Sequence, residues 1–103
     1  MYKLIVCVPE SHTDTVREAM GKAGAGKIGN YGFCSFSIKG TGRYKPLEGA
    51  NPSIGKVGQL EEVAEERIEV TVGQDKLDDV IKAIKQVHPY EEVAMDVYPL
   101  EII

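Results

Sequence analysis

The chain reads as an α+β fold of βαββαβ order: a four-stranded antiparallel sheet with two helices on one face and a long glycine-rich loop between strands 2 and 3. Three observations predict it. Apolar, β-branched runs recur along the 103 residues, two stretches with helical spacing of apolar positions lie between them, and the two strand–helix–strand units are nearly equal in length. Two such units joined by a hairpin-like link make the split βαβ, or ferredoxin-like, sandwich.

The first strand is "KLIVCV", residues 3–8, which is apolar on both alternating faces and so reads as central in the sheet; Pro9 ends it. In "SHTDTVREAMGKAG", Ser11 and Asp14 have the spacing of a capping pair, and Val16, Ala19, Met20 and Ala23 recur at helical spacing. Gly24 and Gly26 supply left-handed positions that stop the helix. From Gly21 to Gly58 lie ten of the eleven glycines, with Pro46 and Pro52. Inside that segment "YGFCSFSI", residues 31–38, has the aromatic and β-branched character of the second strand. Residues 39–60 read as the long connection, because they carry turn residues without periodicity.

The third strand is "ERIEVTV", residues 66–72: Ile68, Val70 and Val72 face one way, Arg67, Glu69 and Thr71 the other. Asp75 is placed to cap a second helix whose apolar stripe is Leu77, Val80, Ile81, Ile84 and Val87. Asp78 and Asp79 at its start and Lys82 and Lys85 nearer its end suit the helix dipole. Pro89 forbids continuation and pushes His88 into extended backbone. "EEVAMDVYPL", residues 91–100, reads as the last strand. One sheet face carries no helix. Since the first strand is apolar on both sides, part of that face is expected to be covered by a second subunit or by the long loop.

A chain this long reads as one domain over residues 1–103, able to bury roughly two thirds of the surface its unfolded form exposes. Twelve basic residues, scattered and outnumbered by sixteen acids, argue against a nucleic-acid partner. Cys7 and Cys34 each sit in an apolar strand-like run, without the company of a disulfide framework or a CxxC site. The apolar run at the start is five residues, closed at once by Pro9 and Glu10, so the reading is a cytoplasmic protein without a membrane span.

Four stretches have residues suited to chemistry. "HPYEE" places His88, Tyr90, Glu91 and Glu92 together; this is either an acid–base cluster, a ligand contact, or a helix-to-strand corner with Tyr90 packed over the core. Adjacent strand residues point to opposite faces, so Glu91 and Glu92 do not readily serve one centre. His12, with Ser11 and Thr13, begins the first helix and offers donors to an anion or simply caps it. The two histidines are expected far apart, with no protein-metal spacing of the HxxxH, CxxC or HExxH kind. "GKAGAGKIGNYG" lacks the hydroxyl residue that must follow Lys27 in a phosphate loop, leaving a looser nest of amides or a plain turn. In "KGTGRYKPLEG", Arg43 beside Tyr44 has the residue types of interfaces and of anion pockets.

Three stretches together resemble one family. "VPESHTDTVREAMGKAGAGKIGNY", "GTGRYKPLEGANPSIGKVGQLEEV" and "HPYEEVAMDVYPL" are similar, in order and spacing, to the domain inserted in the YqfO-type, Nif-three-like proteins known as GTP cyclohydrolase type 2 homologues. The resemblance spans essentially the whole chain, with Val93 where the family pattern has a second proline. It implies a fold like that of the PII signalling proteins and the CutA divalent-cation tolerance proteins, and by that analogy a homo-oligomer, trimer or dimer. The family's two-metal site is built by flanking domains, so the resemblance implies a stand-alone module without hydrolase activity.

The expected function is therefore a non-catalytic oligomeric binding or regulatory module, not an enzyme, with no catalytic residues, no resident metal and no cofactor. Its candidate ligand contacts are His12, Lys27, Arg43, His88, Tyr90 and Glu91, and its expected partners are further copies of itself and a small anionic ligand or divalent metal. The alternative is a metal-binding or metal-tolerance protein with sites between subunits.

Overall fold

A computed structural model describes residues 1–103. Its elements are β1 (Tyr2–Pro9), a single 3-10 turn (Glu10–His12), α1 (Thr13–Lys22), β2 (Phe36–Tyr44), β3 (Glu61–Val72), α2 (Leu77–Val87) and β4 (Met95–Pro99). The sheet order is β2-β3-β1-β4 with every neighbouring pair antiparallel, which is the expected ferredoxin-like arrangement.

The core forms where the periodicities converge. Leu4, Val6 and Val8 of β1 and Ile68, Val70 and Val72 of β3 point to one side, where Val16 and Met20 of α1 and Val80 and Ile84 of α2 close over them. All ten are at most 4% exposed. Arg17 ties the edge of this layer together, reaching Asp14 at 2.7 Å and the half-buried Glu66 of β3 at 3.1 Å. On the helix-free face Ile5 is buried within the chain itself, whereas Phe36, Ile38 and Tyr98 stay at least half exposed or nearly so.

α1 ends as expected. Gly24 has φ +108°, its N–H donates to the Gly21 carbonyl, and the Ala25 N–H donates to the Met20 carbonyl, the paired bonds of a Schellman stop. The two expected side-chain caps do not form. Ser11 shares a hydrogen bond with the neighbouring His12, and Asp14 is held by Arg17, so His12 occupies the start of α1 without a side-chain cap. At α2 the capping position belongs to Lys76, one residue beyond Asp75.

The larger correction concerns the hairpin. β2 starts at Phe36 and runs through Gly40 and Gly42 to Tyr44, and β3 starts at Glu61. Residues 39–44, expected in the loop, are therefore strand, and the loop shrinks to 45–60. Residues 31–35 lie outside β2, and residues 91–94 outside β4. The ladder from Thr41↔Ala64 to Tyr44↔Glu61 continues past Pro9, where β1 ends opposite Glu65. Four further pairs make an arm that projects about 13 Å beyond the sheet. It helps to stretch the molecule to 46 × 23 × 23 Å.

Candidate functional site

The corner between α2 and β4 forms one wall of a cleft. His88 caps α2, donating its backbone N–H to the Ile84 carbonyl at 2.9 Å, and its φ of −73° and ψ of 134° show the expected switch to extended backbone. The imidazole then takes over a strand's work. In an antiparallel strand the N–H and C=O of one residue face the same neighbour. The Cys7 N–H donates to Ala94, but β4 pairing stops at Met95, and the Cys7 carbonyl is met by His88 Nε2 at 2.8 Å. Nε2 is thus the protonated nitrogen, and Nδ1 accepts the Tyr90 N–H at 3.1 Å. Both nitrogens of a side chain only 7% exposed are used in holding the corner.

Tyr90 leans on that lock. Its ring lies 5.0 Å from the imidazole and 6.0 Å from the ring of Tyr44 on the projecting arm, the two phenols at an interplanar angle of 63°. The Tyr90 hydroxyl donates to Glu65 Oε2 at 2.9 Å. Burial, reinforced by this bond to a carboxylate, pushes the Tyr90 phenol well above the ordinary tyrosine range. The Tyr44 phenol is raised in the same way, first by burial and then by Glu61. Burial, with Glu65 adding to it, also raises the Cys7 thiol, so that cysteine is a protonated strand residue, as its apolar run suggested.

The loop supplies the opposite wall. The Tyr44 hydroxyl donates to the Ile54 carbonyl at 2.8 Å, and the Asn51 N–H donates to the Glu91 carboxylate at 3.0 Å. These two bonds draw residues 45–60 back over the corner and enclose a cleft of about 580 Å³ between them, apolar where Pro46, Leu47 and Ile54 line it. Of the residues expected to bind, Arg43, Tyr90 and Glu91 line this cleft, and His88 braces it from behind. Tyr44, singled out beside Arg43 though not among the expected ligand contacts, also lines it, whereas Glu65 and the Asn51 amide were not anticipated. Glu65 lies outside the clean alternation that marked the third strand, and a backbone amide leaves no trace in a sequence.

The other two candidates lie elsewhere. His12 was expected far from His88 but belongs to the same end of the sheet, because α1 starts and α2 finishes where β1 ends. The donors expected beside it are occupied, Ser11 by the His12 ring and Thr13, buried, by the Pro9 carbonyl. Lys27 lines a second cavity of about 810 Å³ at the far end of the molecule. Part of the expected nest of amides is spent internally there, because the N–H groups of Gly24, Ala25, Gly26 and Ile28 donate to backbone carbonyls. No group of three or more His, Cys, Asp and Glu side chains converges to hold a metal ion.

No family model matches the chain. A curated relative from Halalkalibacterium halodurans, "GTP cyclohydrolase 1 type 2 homolog", is 57% identical over 100 residues, which is 97% of this chain and 27% of the relative. The solved Bacillus cereus protein related to NIF3 is 50% identical with a TM-score of 0.86, over 98% of this chain and 26% of that one. The PII-like protein CutA from Nostoc sp. PCC 7120 matches in fold alone, at 16% identity and a TM-score of 0.70, over 98% of this chain and 82% of that one. The chain is a close homologue of one segment of these Nif-three-like proteins, spans about a quarter of their length, and has the CutA and PII-like fold. No helix is long and apolar enough to cross a membrane.

Proposed function

We propose that this homologue of a Nif-three-like segment is a non-catalytic binding or regulatory module, which takes a small ligand in the cleft between its loop and its α2–β4 corner and works as a homo-oligomer. One observation carries the reading: one wall of the cleft is fixed from within the fold and the other is tethered across it only at its surface. The corner is locked by a buried imidazole engaged at both nitrogens, whereas the loop is held across it by exposed hydrogen bonds from Asn51 and Tyr44. Loops of this length in compact domains are mostly functional or mobile.

The same geometry speaks against proton transfer. His88 has no free nitrogen, and the Tyr90 phenol and the Cys7 thiol are both stabilised in their protonated forms. With both nitrogens engaged, His88 is also a poor ligand for a metal shared between subunits. Self-association is supported by exposed Phe36, Ile38 and Tyr98 on the helix-free face, and by β2 and β4, whose outer edges pair with no strand of this chain.

A metabolite panel read by thermal shift tests the reading. A ligand of the cleft raises the melting temperature of the unmodified chain and loses that effect in Ala94→Phe, which fills the cleft from the corner side. Stabilisation that survives Ala94→Phe, or turnover of any panel compound, contradicts it.

A further inference from the structure

The lining of the cleft selects a class of occupant, and the inference rests on reading that cleft as the ligand site. We propose that it takes a small organic cation, an ammonium or guanidinium group carried on an apolar body. The body is accommodated where Pro46, Leu47, Ala50 and Ile54 line the cleft. The charge is accommodated where Tyr44 and Tyr90 meet, their ring centroids 6.0 Å apart and their planes at 63°. The face of a tyrosine ring is electron-rich and attracts cations, more strongly as water is removed.

Glu65 stands with the two rings. One of its oxygens accepts the Tyr90 hydroxyl at 2.9 Å, and no lysine or arginine pairs with it. Gly42 makes this placement available, because a Cβ at that position would overlap the Glu65 carboxylate. Glu91 and Glu92 put two more carboxylates on the lining, neither in an ion pair. Of the two basic residues on the lining, Arg43 is drawn off by its cross-strand partner Glu62 at 3.2 Å, which leaves Lys45 alone against three carboxylates.

The balance favours a cation over an anion. It also favours a large, weakly hydrated cation over a metal ion, which needs several oxygens converging on one point, and no such convergence occurs. The rings fit that preference too, since they attract an organic cation while offering a divalent ion no replacement for its water.

The test is titration of the full 103-residue chain, followed by amide NMR, with benzyltrimethylammonium, benzyl alcohol and phenylacetate as cationic, neutral and anionic probes. The expected result is saturable shifts at Tyr44, Asn51, Tyr90 and Glu91, with the ammonium at least about tenfold tighter than phenylacetate. Glu65→Gln keeps an acceptor for Tyr90, so the corner stays folded; it weakens the ammonium about tenfold and leaves benzyl alcohol unchanged. Tyr44→Leu weakens the ammonium as well, by removing a ring face. Phenylacetate binding more tightly at the same amides overturns the cation class while leaving the cleft as a site. Shifts confined to residues outside the cleft, or none with any probe, overturn both. Ammonium binding unaffected by Glu65→Gln overturns the role of Glu65 and with it the proposal.

Discussion

Replacing His88 with alanine should cost the chain a large part of its stability. The substitution removes a donor to the Cys7 carbonyl at 2.8 Å and an acceptor for the Tyr90 N–H at 3.1 Å, and it leaves both backbone groups in part-buried surroundings without a partner. An unpaired buried group costs about 1–3 kcal/mol, and partial burial places each near the lower half of that range, so the pair costs about 3 kcal/mol. Loss of the ring from under Tyr90, 5.0 Å away, adds to this. For a domain with a total stability of about 5–15 kcal/mol that is severe. Urea unfolding measures it: at a slope of about 1 kcal/mol per molar, the midpoint falls by about 3 M with the slope unchanged. His88→Gln, which restores one of the two bonds, recovers about half of the loss and keeps the comparison usable if the alanine variant fails to fold. A loss below about 1 kcal/mol for His88→Ala would refute the corner-lock reasoning, because it would mean that water satisfies both groups and the imidazole is free for other work.

Tyr90 gives a pH dependence. Its phenol is raised above the ordinary value of 10.0 on folding, so the folded state binds the proton more tightly than the unfolded one. The resulting stability is fully present below pH 10 and is lost as the pH rises beyond it; Tyr90→Phe should flatten that decline in alkaline unfolding curves. Glu91→Ala should change global stability by less than about 1 kcal/mol, since an exposed bond is lost, yet speed limited proteolysis within residues 45–60. Gly26→Ala should destabilise by about 2 kcal/mol or more, because Gly26 has φ +77° and a Cβ there would press on the Cys34 backbone. Sedimentation at micromolar concentration should show an oligomer, weakened by Phe36→Glu on the exposed sheet face; a strict monomer removes the assembly claim.

Much of the fold was legible because the apolar periodicity is strong where the core is. The stripe of Leu77, Val80, Ile81, Ile84 and Val87 and the alternation of Ile68, Val70 and Val72 each name an element and its buried face, and the structure seats them there. The hairpin arm was not legible, since Gly40, Gly42 and a run of glutamates have poor strand propensity. Their strand state comes from pairing with each other beyond the end of β1, a tertiary effect that no local pattern records. The capping predictions failed for a related reason. Ser11 and Asp14 had the right spacing, but Arg17 and His12 were competing partners close at hand. The "HPYEE" corner was identifiable as a turn, while the acceptor of its imidazole, Cys7, lies 81 residues away in the chain. Arg43, Tyr90 and Glu91 came together as a cleft only because residues 45–60 fold back, and one of the two bonds that turn them back is made by the Asn51 main chain, the other ending on the Ile54 carbonyl.

The central claim, that the cleft between the loop and the corner holds a ligand, is tested most directly by measuring thermal stabilisation across a metabolite panel in the unmodified chain and in Ala94→Phe side by side. A ligand present at 100 times its dissociation constant should add about 2.7 kcal/mol of stability to the unmodified chain and close to none to the variant. Equal stabilisation of the two proteins, or a panel in which nothing stabilises either, would contradict the claim.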